Sequence, residues 1–151
     1  MGRVCRDFAI AYVLGMIGMI LLGALVQFAL GRDLGNFSGV VPVLAAAMFA
    51  GHRYGSLHGQ PAESGFAWRA AFWMLLICIV YSVVAVSLFI LILGSEIAVE
   101  VLALLGDLRA GFWIIVIAIL LVLYLLVPRF FFGLGARMAA KAAQKRLQDT
   151  F

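Results

Sequence analysis

Long apolar stretches without a charged residue constrain the fold of this chain more than any other feature. Phe8–Leu30 contains 23 residues, Ala70–Gly94 contains 25 and Gly111–Val127 contains 17. A helix of about 20 apolar residues crosses a bilayer core of ~30 Å. Because 66% of all residues are hydrophobic and only 12% are charged, too few polar residues remain to cover a soluble core. The sequence therefore predicts an integral membrane protein, and helices satisfy the backbone in lipid.

A fourth apolar stretch leaves two arrangements open. Its charge-free core, 37–51, contains 15 residues and includes Pro42. Such a helix would be about 22 Å long, which is short for a bilayer unless residues at its end reach toward the headgroups. The segment could therefore cross the membrane, giving four spans, or enter it without crossing, giving three.

The distribution of Lys and Arg favours four spans. With four spans both termini are cytoplasmic, and nine Lys and Arg residues lie inside against Arg32 and Arg109 outside. With three spans the N-terminus moves outside, which exports Arg3 and Arg6 and leaves eight cations inside against three outside. We therefore expect four spans, with the second as the most buried helix.

The expected architecture is an all-α, four-helix membrane bundle forming a single domain, 1–151. Its second helix is short and rich in Pro, Gly and Ala. The acidic amphipathic segment after the third span has two interpretations: it lies on the outer surface of the bilayer, or it extends the third span into water and packs on a neighbour. A basic helix follows the fourth span in the cytoplasm. The expected ranges are 8–30, 37–54, 70–94 and 111–132 for the spans, 95–110 for the outer segment and 133–151 for the basic tail.

Small residues at helical spacing indicate where the first two spans pack. Without a bulky side chain, helix backbones approach closely in lipid. Ala- and Gly-rich faces on both spans therefore predict that the first packs against the second. The candidate packing residues are Gly15, Gly18, Gly23, Pro42, Ala46, Ala50 and Gly51.

The candidate polar site lies between the second and third spans. His52, Arg53, Glu63 and Arg69 form a polar cluster there, and a ligand site would lie where the second helix meets His52 and Arg53. His52 and His58 do not share a helical face, so no metal is expected. Contact of Arg53 and Arg69 with a phosphate or lipid headgroup is one interpretation, and an ordinary solvated loop is the other.

No catalytic motif is present in the sequence. It contains no Gly-x-Ser-x-Gly elbow, P-loop or His-Glu-x-x-His pattern, and the span interiors contain no ionisable Asp, Glu, Lys, Arg or His. We therefore expect no catalytic residues, no cofactor and no enzyme activity. The basic residues lie at span ends without interleaved aromatic residues, so no nucleic-acid partner is expected.

Two motifs carry a resemblance to known proteins. The segment "PVLAAAMFAGHRYG", 42–55, leads into a polar loop with Pro61 and Glu63, and "FFFGLGARMAAKAA", 130–143, runs from the last span into a basic helix. In these features the chain resembles an uncharacterised family of small four-span bacterial inner-membrane proteins. The resemblance implies four spans and a bacterial origin, and it contributes no catalytic residues.

The expected function is a structural, accessory or regulatory role in the membrane. The partners would be the lipid bilayer and either a second copy of the chain or another membrane protein. A small channel or transporter is one alternative, in which Pro42 would supply a broken helix beside a water-lined path. A phage-type pore former is another, suggested by the small size and the basic tail.

Overall fold

This computed structural model describes residues 1–31, 40–93, 99 and 110–148, which are almost entirely helical and contain no strand. The prediction of an all-α protein is confirmed for this part of the chain. Three of the helices are long and apolar enough to cross a membrane. The helices are α1 (Gly2–Leu30), α2 (Val40–His58), α3 (Ser64–Leu93) and α4 (Ala110–Gln148).

The helices extend beyond the predicted spans. α1 begins at Gly2 rather than Phe8, α3 begins at Ser64 rather than Ala70, and α4 continues without interruption through the predicted boundary at residue 132. Apolar composition marks the part of a helix that faces lipid, whereas the helix itself ends only where backbone hydrogen bonding stops. The predicted outer segment, 95–110, lies outside the described residues except for Val99 and Ala110.

Glycine in the left-handed conformation ends both α1 and α2. Gly31 has φ 61° and its N–H donates to the carbonyl oxygen of Gln27 at 3.1 Å. Gly59 has φ 63° and its N–H donates to Gly55 at 2.9 Å. Only glycine adopts this conformation at low cost, so both turns are fixed by the sequence.

The two prolines inside helices have different surroundings. Pro42 is the third residue of α2, where its missing N–H has no intrahelical acceptor to lose. Within the described residues α2 is continuous from Val40 to His58. Pro128 lies inside α4, which continues through it, and its side chain is fully buried.

α2 lies at the centre of the packing. It contacts α4 along most of its length and also contacts α1, while α3 contacts α4 and α1. Seven of its 19 residues are buried, whereas in α1, α3 and α4 only 6% of the most apolar stretch is buried. The helix that is least apolar by sequence is therefore the most enclosed.

Glycines bring the backbones of α2 and α4 into direct contact. A Cβ atom on Gly51 would overlap the backbone of Phe132, and one on Gly55 would overlap that of Ala136. In the opposite direction, a Cβ atom on Gly135 would overlap the backbone of Met48. This reciprocal arrangement is the close packing that a Gly-x-x-x-Gly pair permits between membrane helices. We call these three glycines the glycine contact.

A methyl group at Gly135 should loosen the bundle. We expect Gly135→Ala to lower the free energy of unfolding by about 1–3 kcal/mol, because the backbone of α2 must move away. Gly133, on the same helix, has open space around it, so Gly133→Ala should be neutral or stabilise by up to about 1 kcal/mol through helix propensity. Unfolding in mixed micelles measures the stability of both variants. Equal losses of unfolding free energy would contradict the close contact of Gly135 with α2.

Candidate functional site

The cationic side chains that the structure describes collect at one end of the bundle. There the first turns of α1 and α3 meet the last turns of α2 and the second half of α4, as the contacts Arg53–Asp7 and Arg129–Ser64 show. We call this the basic end. The Lys and Arg side chains that the structure describes all belong to these segments: Arg3, Arg6, Arg53, Arg69, Arg129, Arg137, Lys141 and Lys145.

A buried carboxylate joins α1 to α2 at the basic end. The Asp7 side chain is only 7% exposed, and its Oδ1 accepts a hydrogen bond from Nη1 of Arg53 at 3.3 Å. Nε of Arg6 lies 3.9 Å from the same oxygen. Both arginines remain more than half exposed, so the acid is buried while its cationic partners stay solvated. Such a pair adds modest stability, but a carboxylate without a partner there would be costly.

Sequence reasoning missed Asp7 because this residue lies just before the apolar stretch of the first span. Its position between Arg6 and Phe8 is typical of a solvated flank. One available signal was that it is the only acidic residue before the first span ends at Leu30. An acid among basic residues at a helix end often has a cationic partner, but the sequence does not show which one.

An aromatic cluster connects three helices beside this ion pair. The ring of Tyr54 stacks on His58 at 4.2 Å and on Phe66 at 4.8 Å between centroids. It also lies 5.8 Å from the ring of Phe132, which is fully buried. Aromatic pairs at these separations contribute beyond their buried area. The cluster therefore holds the C-terminal turn of α2 against α3 and α4.

The four residues of the predicted polar cluster lie at the basic end but do not converge. Arg53 pairs with Asp7, which the prediction did not include. The side chains of His52, Glu63 and Arg69 are exposed, and none forms a hydrogen bond or ion pair with the residues that the structure describes. The backbone carbonyl of Glu63 accepts a hydrogen bond from the N–H of Ala67 at the start of α3, at 2.9 Å.

Some of the predicted packing residues lie at helix contacts and others do not. Pro42, Ala46, Ala50 and Gly51 are buried on α2, and a methyl group at Gly15 would lie 3.2 Å from Cβ of Pro42. Gly18 has open space around it, and Gly23 is partly exposed. Sequence reasoning did not identify Gly55 or Gly135, although the spacing of Gly51 and Gly55 in "GHRYG" was an available signal.

A second cluster of polar groups lies midway along the helices. Tyr12, Cys78, Ser82 and Tyr124 line a cavity of about 290 Å³ between α1, α3 and α4. The rings of Tyr12 and Tyr81 meet edge to face, with centroids 5.1 Å apart. Among the described residues, no three His, Cys, Asp or Glu side chains are placed to hold a metal ion.

A larger half-open cavity of about 600 Å³ lies at the basic end between α3 and α4. Its charged lining consists of Arg129, Arg137 and Lys141, and Ser64 lies opposite on α3. Nη2 of Arg129 donates to Oγ of Ser64 at 3.3 Å, and its guanidinium carbon lies 4.0 Å from the centre of the Trp68 ring. We call this cavity the basic groove.

Removing either partner of the Asp7–Arg53 pair should destabilise the bundle. We expect Arg53→Gln to lower the free energy of unfolding by about 1–2 kcal/mol, because it leaves the buried carboxylate with only the more distant Arg6. Asp7→Asn in the same chain should recover much of that loss, giving a coupling energy of about 1 kcal/mol in a double-mutant cycle. Arg69→Gln should change stability by less than about 0.5 kcal/mol. If the losses of unfolding free energy in the two single variants simply added in the double variant, the pairing of Asp7 with Arg53 would be contradicted.

Comparison with known proteins gives no similarity on which an assignment can be based. No family model matches the chain, and neither a curated protein nor a solved structure matches it.

Proposed function

We propose that the protein is an integral membrane protein of the bacterial inner membrane, with four spans and both termini in the cytoplasm. Its proposed role is structural, accessory or regulatory, through contacts with lipid and with a second copy or another membrane protein, and not through catalysis. The observation that carries the proposal is the separation of the described residues into an apolar belt and one basic end.

The apolar belt consists of outward-facing side chains that water would solvate poorly. Phe28 is 93% exposed, and Leu91 and Ile92 are each 79% exposed. Burial of apolar surface is worth roughly 25 cal/mol per Å², so exposure of a whole belt to water would be very costly. Contact with lipid removes this cost, which supports placement of α1, α3 and α4 across a bilayer.

The packing of α2 supports its assignment as the fourth span. The part of α2 that carries no charge, 40–51, is about 18 Å long, which is shorter than the ~30 Å of a hydrocarbon core, so the support for a fourth span comes from the surroundings of this helix. His52, Arg53 and His58 occupy its last two turns at the basic end, so its opposite part carries no charge. Enclosure by α1 and α4 shields its polar backbone from lipid.

The position of the charges supports the proposed orientation. The described Lys and Arg side chains collect at the end that holds residue 1 and the second half of α4. Cytoplasmic segments of membrane proteins carry an excess of Lys and Arg. This supports a cytoplasmic basic end and hence a cytoplasmic N-terminus and C-terminus.

Compartment-sensitive reporters test the topology. We expect a cytoplasmic signal from a reporter at the N-terminus and from one between α2 and α3, and an external signal from one inserted at 32–39. The protein should also remain in membranes after alkaline carbonate extraction. An external N-terminus would reject the four-span arrangement, whereas a C-terminal reporter does not discriminate because three spans also place that end inside.

Regulated expression tests the role. An accessory or structural protein should leave the membrane potential unchanged when its expression is raised, because it opens no path for ions. A potential-sensitive dye measures this directly, with the Gly135→Ala variant, expected to be less stable, expressed at the same level for comparison. Collapse of the potential with the original chain alone would support a pore former and contradict the proposed role.

A further inference from the structure

We propose that the basic groove binds the headgroup of an anionic phospholipid, with the phosphate held by Arg129 and Arg137 and with Lys141 at the edge nearest water. This inference rests on the proposed membrane location, because the groove must lie at the level of the lipid headgroups. It goes beyond general attraction of a basic tail to a membrane, since it assigns one site with its own shape.

The charge of the groove is unbalanced. Arg129, Arg137 and Lys141 line it, and no acidic side chain is among the described residues of its lining. None of the three cations forms an ion pair with a described residue, in contrast to Arg53 and Arg6. Like charges held along one side of a cavity raise its positive potential. The groove therefore favours an anionic occupant.

The first turn of α3 adds to this preference. Ser64 is the first residue of α3, and its hydroxyl lines the groove opposite the cations. The start of a helix carries partial positive charge and backbone N–H groups without an intrahelical acceptor. These groups alone would not define a site, but Ser64 and Ala67 of this turn line the same cavity of about 600 Å³ as the three cations.

An apolar stripe lies directly beside the cations. Leu126, Phe130, Leu134 and Met138 also line the groove and recur at four-residue spacing, so they follow one another along α4. All four are exposed, from 38% for Leu134 to 65% for Phe130. Leu126 lies on the bilayer side of Arg129, where the acyl chain of a lipid bound in the groove would cover it, whereas a soluble phosphate compound would leave it uncovered. The lining therefore fits an amphiphile better than a free anion.

The position of Arg129 along α4 matches the level of the headgroups. Arg129 follows Ala110 by 19 residues, or about 28 Å, so a helix entering the bilayer near Ala110 reaches the opposite edge of the ~30 Å core at Arg129. Trp68, which lies under the guanidinium of Arg129, belongs to the residue type that concentrates at this interface. The phosphate would thus meet Arg129 without leaving its normal depth.

Native mass spectrometry of the full-length protein in detergent micelles tests the proposal. Phosphatidylglycerol and phosphatidylethanolamine with the same acyl chains serve as probes, and we expect preferential binding of phosphatidylglycerol. The double variant Arg137→Gln with Lys141→Gln should lower that affinity about 30-fold. The matched variant Arg69→Gln with Lys145→Gln loses the same charge from exposed positions outside the groove and should retain the affinity within about threefold.

Three results would overturn the proposal. Equal binding of the two lipids would remove the preference for an anionic headgroup. Equal losses in the two double variants would show that only the total charge matters. Full displacement of the lipid by glycerol 3-phosphate would identify a soluble phosphate compound as the occupant.

Failure of the proposed membrane location would give a different result, because the chain would then leave the membrane during carbonate extraction. A chain that stays in the membrane but shows no lipid preference would contradict this inference alone. Far-UV circular dichroism of both double variants confirms that each retains its helices before lipid binding is compared.

Discussion

The contact between the backbones of α2 and α4 is the constraint on which the rest of the structure depends. At Gly51, Gly55 and Gly135 there is no room for even a Cβ atom, so the two helices approach as closely as their main chains allow. In lipid the hydrophobic effect does not drive helices together, and packing at short range must replace it. The bundle is thus built around its shortest and least apolar helix.

The polar features at the basic end follow from this contact. Because α2 is held against α4, its last turns carry Arg53 to Asp7 on α1 and Tyr54 to Phe66 on α3. The side of α4 that carries Arg129 then lies beside the start of α3, where Arg129 contacts Ser64 and Trp68. The contact between α2 and α4 therefore positions the ion pair, the aromatic cluster and the basic groove.

Hydrophobic composition predicts the helices of this chain well, and it predicts the contacts between their side chains less well. The uncharged stretches gave the all-α class, and the shortness of the second helix with its Ala and Gly residues led to the expectation that it is enclosed. The helix ends were less predictable, because Arg and Lys continue a helix as well as Leu does. Asp7–Arg53 spans 46 positions in sequence, and no local pattern encodes such a pairing. The sequence places His52, Arg53, Glu63 and Arg69 in one polar region, but it does not show which of them gains a partner on another helix.

The buried side chains are unevenly distributed along the bundle. In α1, α3 and α4 they lie toward the basic end, and none of the side chains described in 13–29, 79–92 or 111–127 is buried. The helices are therefore closely packed at the basic end and less closely packed at the other end. If the bundle crosses a bilayer as proposed, a change in bilayer thickness would be absorbed where the helices are less packed, away from the Asp7–Arg53 pair and the glycine contact. The basic end would keep its geometry while the opposite leaflet adapts to each helix separately.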